Sequence, residues 1–165
     1  MSLHSCQKYN LERRFIHSFM SVSVDRTQPP TEIEASSVSF ETVIAESDFV
    51  VATLNLTKET EGLFNSEVFG KMKNDAIFVN ISRGGIVNQK DLYDALKNGQ
   101  IRGAGIDVTN PEPMATDDPL LTLPNCIVLP HIGSAEVATR RAMAQLCAEN
   151  ILAALKNEKM SAQVN

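Results

Sequence analysis

Three side chains, Arg83, Glu112 and His131, stand where they can act on a ligand. Arg83 lies between an apolar run and the pair Gly84-Gly85, where the backbone can turn sharply and leave a guanidinium over the end of the run. A guanidinium forks onto a carboxylate, the contact that a small 2-oxo or 2-hydroxy acid needs. The plainer reading pairs it with a surface Asp beside a helix N-terminus. His131 follows Pro130 and precedes Gly133, and its imidazole can give a proton to a carbonyl oxygen or take one from a hydroxyl. Its alternative is a hydrogen-bonded structural histidine. Glu112 is held between Pro111 and Pro113, which restrict the backbone on both sides. Near His131 it would hold the ring and favour its charged form; otherwise it is a solvated loop carboxylate. Asp107 either orients a ligand or caps a turn.

The elements that must position these groups are legible in the alternation of short β-branched runs with amphipathic stretches. Residues 48–54 (DFVVATL), 76–80 (AIFVN), 103–108 (GAGIDV) and 126–129 (CIVL) read as buried strands. Residues 65–72 predict a short helix with Val68, Phe69 and Met72 on one face. Asn88 caps a helix carrying Leu92, Ala95 and Leu96 that Gly99 ends, and Ser134 caps a long one through about Lys156. Its apolar set includes Met143, Leu146, Cys147, Ile151 and Leu155. Strand, helix, strand, helix implies an α/β fold, a parallel sheet with crossover helices. The polar clusters all follow strands: Asn55, then Ser82 to Gly85, then Asp107 to Glu112, then His131 to Ser134. In an open parallel sheet these loops leave one edge, the crevice where such sheets bind ligands. There an arginine, a carboxylate and a histidine meet the needs of hydride exchange on a hydroxy acid.

Composition narrows the field. With 15 Lys+Arg against 20 Asp+Glu and no dense basic run, the chain is no candidate for nucleic acid. No apolar run is long enough to span a bilayer, so no membrane role is expected. Cys6, Cys126 and Cys147 are scattered, which suits neither a disulfide framework nor a metal cage and points to a cytoplasmic protein. The 165 residues amount to one domain. Residues 1–34, with scattered serines and Pro29-Pro30, read as a leader, although Met20, Val22 and Val24 alternate as a strand would.

Three stretches, SDFVVATLNLTKETEGLFN, MKNDAIFVNISRGGIVNQKDLYDALKNGQIRGAGIDVTNPEP and LPNCIVLPHIGSAEVATR, stand in one order and spacing. In them the chain resembles the D-isomer-specific 2-hydroxyacid dehydrogenases, and within these the glyoxylate/hydroxypyruvate reductases. The resemblance runs from about Ser39 to the C-terminus. It implies a Rossmann-like NAD(P)-binding domain over residues 35–165, present in part. It makes Arg83 the substrate-binding catalytic arginine, Glu112 the catalytic glutamate and His131 the acid/base. It places Asn55, Ile81, Asp107 and Gly133 against the nicotinamide half of NADP or NAD, and Ser134 with Arg83 and His131 beside the substrate. Asn55 departs from the Pro or Ser common at its position. None of the eight glycines supplies the G-x-G-x-x-G turn that holds a pyrophosphate, and the family's substrate domain has no counterpart. Arg26 is the residue expected to read an NADP 2′-phosphate.

Two functions follow from this. One is an NAD(P)-dependent reductase of small 2-oxo acids, expected to turn over weakly or not at all as this chain. The other is a non-catalytic cofactor-domain remnant that forms a homodimer, or a mixed dimer with a full-length relative.

Overall fold

The computed structural model describes residues 6–9, 19–22 and 35–163. It divides into two compact units, Met1–Pro130 and His131–Asn165. Among the described residues the first unit holds a seven-stranded sheet in the order β3-β1-β2-β4-β5-β6-β7. The strands are β1 (Cys6–Tyr9), β2 (Phe19–Val22), β3 (Ala35–Val38), β4 (Phe49–Ala52), β5 (Ile77–Asn80), β6 (Gly103–Ile106) and β7 (Cys126–Val128). From β2 to β7 all neighbours are parallel, whereas β1 pairs antiparallel with both β2 and β3. The parallel α/β sheet is therefore as expected. Residues 1–34, read as a leader, contain two of its strands, and the alternation at Met20 and Val22 falls inside β2. Arg26 lies outside the described residues.

Helices form where the capping chemistry places them. The helix α1 (Phe40–Glu46) starts at Ser39, whose hydroxyl accepts from the Thr42 amide at 3.1 Å. Asn65 accepts from Glu67 and Val68 at the start of α2 (Ser66–Lys71), and Asn88 accepts from Asp91 at the start of α3 (Gln89–Lys97). Gly99 ends α3 with φ +66, the left-handed conformation that favours glycine.

Period-2 alternation turns Val50, Ala52, Phe78, Asn80, Ala104 and Ile106 to one buried face of the sheet. Val43 and Ile44 of α1, Phe69 of α2 and Leu92, Ala95 and Leu96 of α3 join them in a single core. At its centre the Phe64 and Phe78 rings lie 4.8 Å apart, and Phe69 meets Phe78 edge-on at 5.4 Å. A half-exposed ion pair, Lys73 to Asp48 at 2.8 Å, sits beside the backbone bond from Ile77 to the Asp48 carbonyl that opens the β4–β5 pairing. Such a pair adds at most about 1 kcal/mol, so burial carries the fold.

The second unit is built on α4 (Val137–Leu155). The N-cap is Glu136, not Ser134: the Glu136 carboxylate accepts from the Thr139 amide at 2.7 Å and from its hydroxyl at 3.0 Å. Ala135 donates back to the Ile132 carbonyl and closes a turn, which delays the helix by two residues. The amides of Ala138 and Thr139 hold the Glu136 carboxyl below its ordinary pKa. None of the α4 residues is buried. Among the described residues no helix is long and apolar enough to cross a membrane.

Phe78 is wholly buried between two rings, so Phe78→Ala is expected to destabilise the first unit by about 3–5 kcal/mol. A urea titration followed by circular dichroism measures it.

Candidate active site

The register aligns the ends of three strands. Ala52 pairs with Asn80 and Asn80 with Ile106, so these residues form the last row of the sheet before the chain leaves it. Each strand is continued by one further bond: Ile81 to the Ala52 carbonyl, Asp107 to the Asn80 carbonyl and Leu129 to the Ile106 carbonyl. The loops that carry Asn55, Arg83 and Asp107 consequently start side by side at the carboxyl edge.

Thr53, Leu54, Asn55, Leu56, Ile81, Ser82 and Arg83 line a groove of about 470 Å³ there. Ile81 is 58% exposed and Leu56 47%, so both present apolar surface to the groove. An apolar platform beside an amide and a guanidinium fits a flat heteroaromatic ring carrying polar substituents. That is the fit expected of the nicotinamide end of a dinucleotide. The two glycines that admit close backbone approach, Gly84 and Gly85, are occupied by neighbouring loops and do not form a phosphate cradle.

Each loop is fastened by a buried or half-buried polar side chain. Asn80, 1% exposed, accepts from the Ser82 amide and hydroxyl at 3.1 and 3.0 Å and donates to the Arg83 carbonyl at 3.1 Å. The side chain of one strand-end residue thus sets the turn that presents Arg83. Arg83 itself is exposed, with Nη1 donating to the Ser82 carbonyl at 2.7 Å. This ties one guanidinium nitrogen to its own loop. The Thr60 hydroxyl donates to the Asn55 carbonyl at 2.7 Å and accepts from the Thr57 amide at 2.8 Å. Gly62 donates to Gly85, Phe64 to Ile86 and Asn88 to Phe64, zipping the loop after β4 onto the loop after β5.

Glu112 is an exposed residue of the loop after β6, and its bond to Pro113, like that of Asn110 to Pro111, is cis. The loop is joined to Arg83's through Gly84, where a Cβ would stand 1.9 Å from the Thr109 carbonyl oxygen. Only a residue without a side chain allows this approach. Asp107, half-buried, donates its amide to Asn80. His131, Gly133 and Ser134 belong to the second unit. His131 has φ 54, a left-handed conformation that few residues other than glycine adopt. The Ser134 carbonyl accepts from Arg140 Nε at 3.1 Å. Of the site residues read from the sequence, Asn55, Ile81 and Arg83 therefore share one groove, Asp107 and Glu112 follow on the adjoining loop, and the remaining three lie in the other unit.

Asn80 and Thr60 fasten these loops through bonds that no short motif in the sequence announces. Asn80 left a signal: in AIFVN it falls on the inward phase set by Phe78, where a polar residue must find partners. Among the described residues no group of His, Cys, Asp or Glu is placed to hold a metal ion. Burial, with a smaller contribution from Asp118, pushes the Cys126 thiol up to about 11.

Comparison with known proteins agrees with the fold. The family described as D-isomer specific 2-hydroxyacid dehydrogenase, NAD binding domain, matches residues 15–133, reaching upstream of the motifs quoted above. The glyoxylate reductase/hydroxypyruvate reductase of Mus musculus is 52% identical over 139 residues, covering 84% of this chain and 42% of that protein. The chain thus spans about two-fifths of the length of such relatives. Among solved structures, the TT0316 protein from Thermus thermophilus superposes with a TM-score of 0.78 at 39% identity, over 88% of this chain and 45% of that one. The NADPH-dependent glyoxylate/hydroxypyruvate reductase from Sinorhizobium meliloti, in complex with NADP and malonate, superposes with a TM-score of 0.71 at 32% identity, over 75% and 39%.

Gly84→Ala forces its methyl into main chain on the far side, so a loss of about 3 kcal/mol or more is expected. Gly70→Ala, in α2 with nothing within 4 Å of the added carbon, is expected to stabilise by about 0.5–1 kcal/mol. Paired urea midpoints test both, and equal effects would contradict the packing described.

Proposed function

Because the chain belongs to the D-isomer specific 2-hydroxyacid dehydrogenase family, whose NAD binding domain it matches, we propose that it serves the NAD(P)-dependent reduction of glyoxylate, hydroxypyruvate or a related 2-oxo acid in the cytoplasm. The observation that carries this reading is the groove at the carboxyl edge, where Arg83 stands beside the exposed Ile81 and Leu56. Ile81, Asn55, Asp107 and Gly133 are the residues proposed to hold the nicotinamide half of the cofactor. When bound, the cofactor supplies a hydride to the carbonyl carbon of the acid.

Arg83 forks onto the substrate carboxylate and draws electron density from the adjacent carbonyl. His131 gives its proton to the carbonyl oxygen as that oxygen becomes a hydroxyl, and Glu112 is the carboxylate proposed to assist it. Ser134 lies beside the substrate. The Ile81 and Leu56 side chains would exclude water from one side of the groove, which strengthens each charged contact nearby.

The purified chain is expected to quench or enhance nicotinamide fluorescence saturably when titrated with NADPH, and to oxidise NADPH with hydroxypyruvate below the roughly 10 s⁻¹ typical of enzymes. Arg83→Ala and His131→Ala are each expected to lower that turnover by about 100-fold or more. Absence of saturable NADPH binding, or turnover indifferent to both substitutions, overturns the reading.

The second reading, a cofactor-domain module that pairs without turnover, is favoured by α4, whose Val137, Met143, Ile151 and Leu155 are all exposed. It predicts a dimer, alone or with a full-length reductase, in sedimentation velocity. A chain that stays monomeric in both mixtures removes it.

A further inference from the structure

We propose that Gln89 is the positioning residue of the Glu112 loop, an inference that rests on the role given to Glu112 above. The loop leaves β6 after Ile106 and turns into a short 3-10 segment at Pro119–Thr122, so it has no regular structure of its own to hold it. Gln89, the first residue of α3, reaches both ends of the excursion with one side-chain amide. Its Oε1 accepts from the Asn110 amide at 3.1 Å, and its Nε2 donates to Asp118 Oδ2 at 2.7 Å. The second Asp118 oxygen accepts from the Leu120 amide at 2.9 Å and caps the 3-10 segment.

Glu112 stands between the two anchored residues, Asn110 and Asp118. At its near end the Thr109 hydroxyl also donates to the Pro111 carbonyl at 2.9 Å, within the loop itself. Gln89 differs from that local bond in joining the loop to a helix whose N-cap, Asn88, is bonded to Phe64 and which begins six residues after Arg83. The carboxylate loop and the guanidinium loop therefore share one support. A primary amide is the group this demands, because one partner is a donor and the other an acceptor.

Exchanging the polarity of the clamp tests it. In Gln89→Glu a second carboxylate faces Asp118. Combining Gln89→Glu with Asp118→Asn restores a donor and an acceptor in opposite order, and the new side-chain amide keeps an oxygen for the Leu120 N–H. Amide hydrogen exchange by NMR reads the Asn110 bond directly, and steady-state reduction of hydroxypyruvate by NADPH reads the consequence for Glu112. Gln89→Ala and Gln89→Glu are expected to speed Asn110 exchange by about tenfold or more and to lower kcat by a similar factor with KM unchanged. The double variant is expected to return both to within about twofold of the unaltered chain.

A purely structural role would move the urea midpoint without splitting kcat from KM and without rescue. Unchanged Asn110 exchange in Gln89→Ala, or a double variant as impaired as Gln89→Glu, overturns the clamp. Glu112→Gln separates the two ideas. If it lowers kcat while Gln89→Ala does not, the positioning proposal fails; if it leaves kcat unchanged, the reading of Glu112 fails. In a chain without turnover the exchange measurement decides the clamp by itself.

Discussion

Main chain meets main chain at Gly84 and Thr109, so closely that a methyl on Gly84 would stand 1.9 Å from the Thr109 carbonyl oxygen. Much of the site's architecture depends on that contact. Strands β5 and β6 are neighbours, but adjacency in a sheet fixes only the residues inside the ladder. The loops beyond the ladder are free to diverge unless something draws them together. Gly84 permits the approach, and the Asn80 side chain, bonded to Ser82 and Arg83, turns the chain so that Gly84 arrives there. Presentation of the arginine and closure of the two loops are thus one event.

Behind the loops lies a platform that resists distortion. Phe64, Phe69 and Phe78 pack at the centre of the core, and Phe64 is also the residue whose amide and carbonyl join the loop after β4 to Ile86 and Asn88. The aromatic cluster and the loop edge therefore share a residue, which couples burial to the geometry of the groove. Sites held by rigid elements keep reacting groups aligned without further ordering on binding. The exposed Ile81 and Leu56 are the local cost, apolar surface left to water at the edge of a well-packed core.

The residues proposed for the chemistry fall in both units. Arg83, Asp107 and Glu112 belong to the first, whereas His131, Gly133 and Ser134 open the second. His131 takes a left-handed backbone conformation directly after Pro130, a geometry that costs of order 1–2 kcal/mol for a residue with a side chain. Backbone strain of this kind concentrates where a side chain's direction matters, in keeping with the acid–base role proposed for it.

What the amino-acid sequence determined by itself is what depends on neighbours within a few residues. Asn65 and Asn88 cap their helices through bonds spanning two or three positions, and the β-branched runs declare their strands for similarly local reasons. That the loops of Asn55, Arg83 and Asp107 start side by side was legible because parallel strands send their loops to one edge. The cap of α4 falls at Glu136 instead of Ser134, since a turn closed by Ala135 intervenes and pattern alone cannot count it. Only the tertiary structure revealed that β1 and β2 belong to the sheet, that Asn80 governs the Arg83 turn, and that Gln89 bridges partners 21 and 29 residues away. Hydrogen bonds across such separations exist only after β5 and β6 have paired and α3 has docked. Their donors and acceptors look in the sequence like any other polar surface residue, and folding alone selects which of them meet.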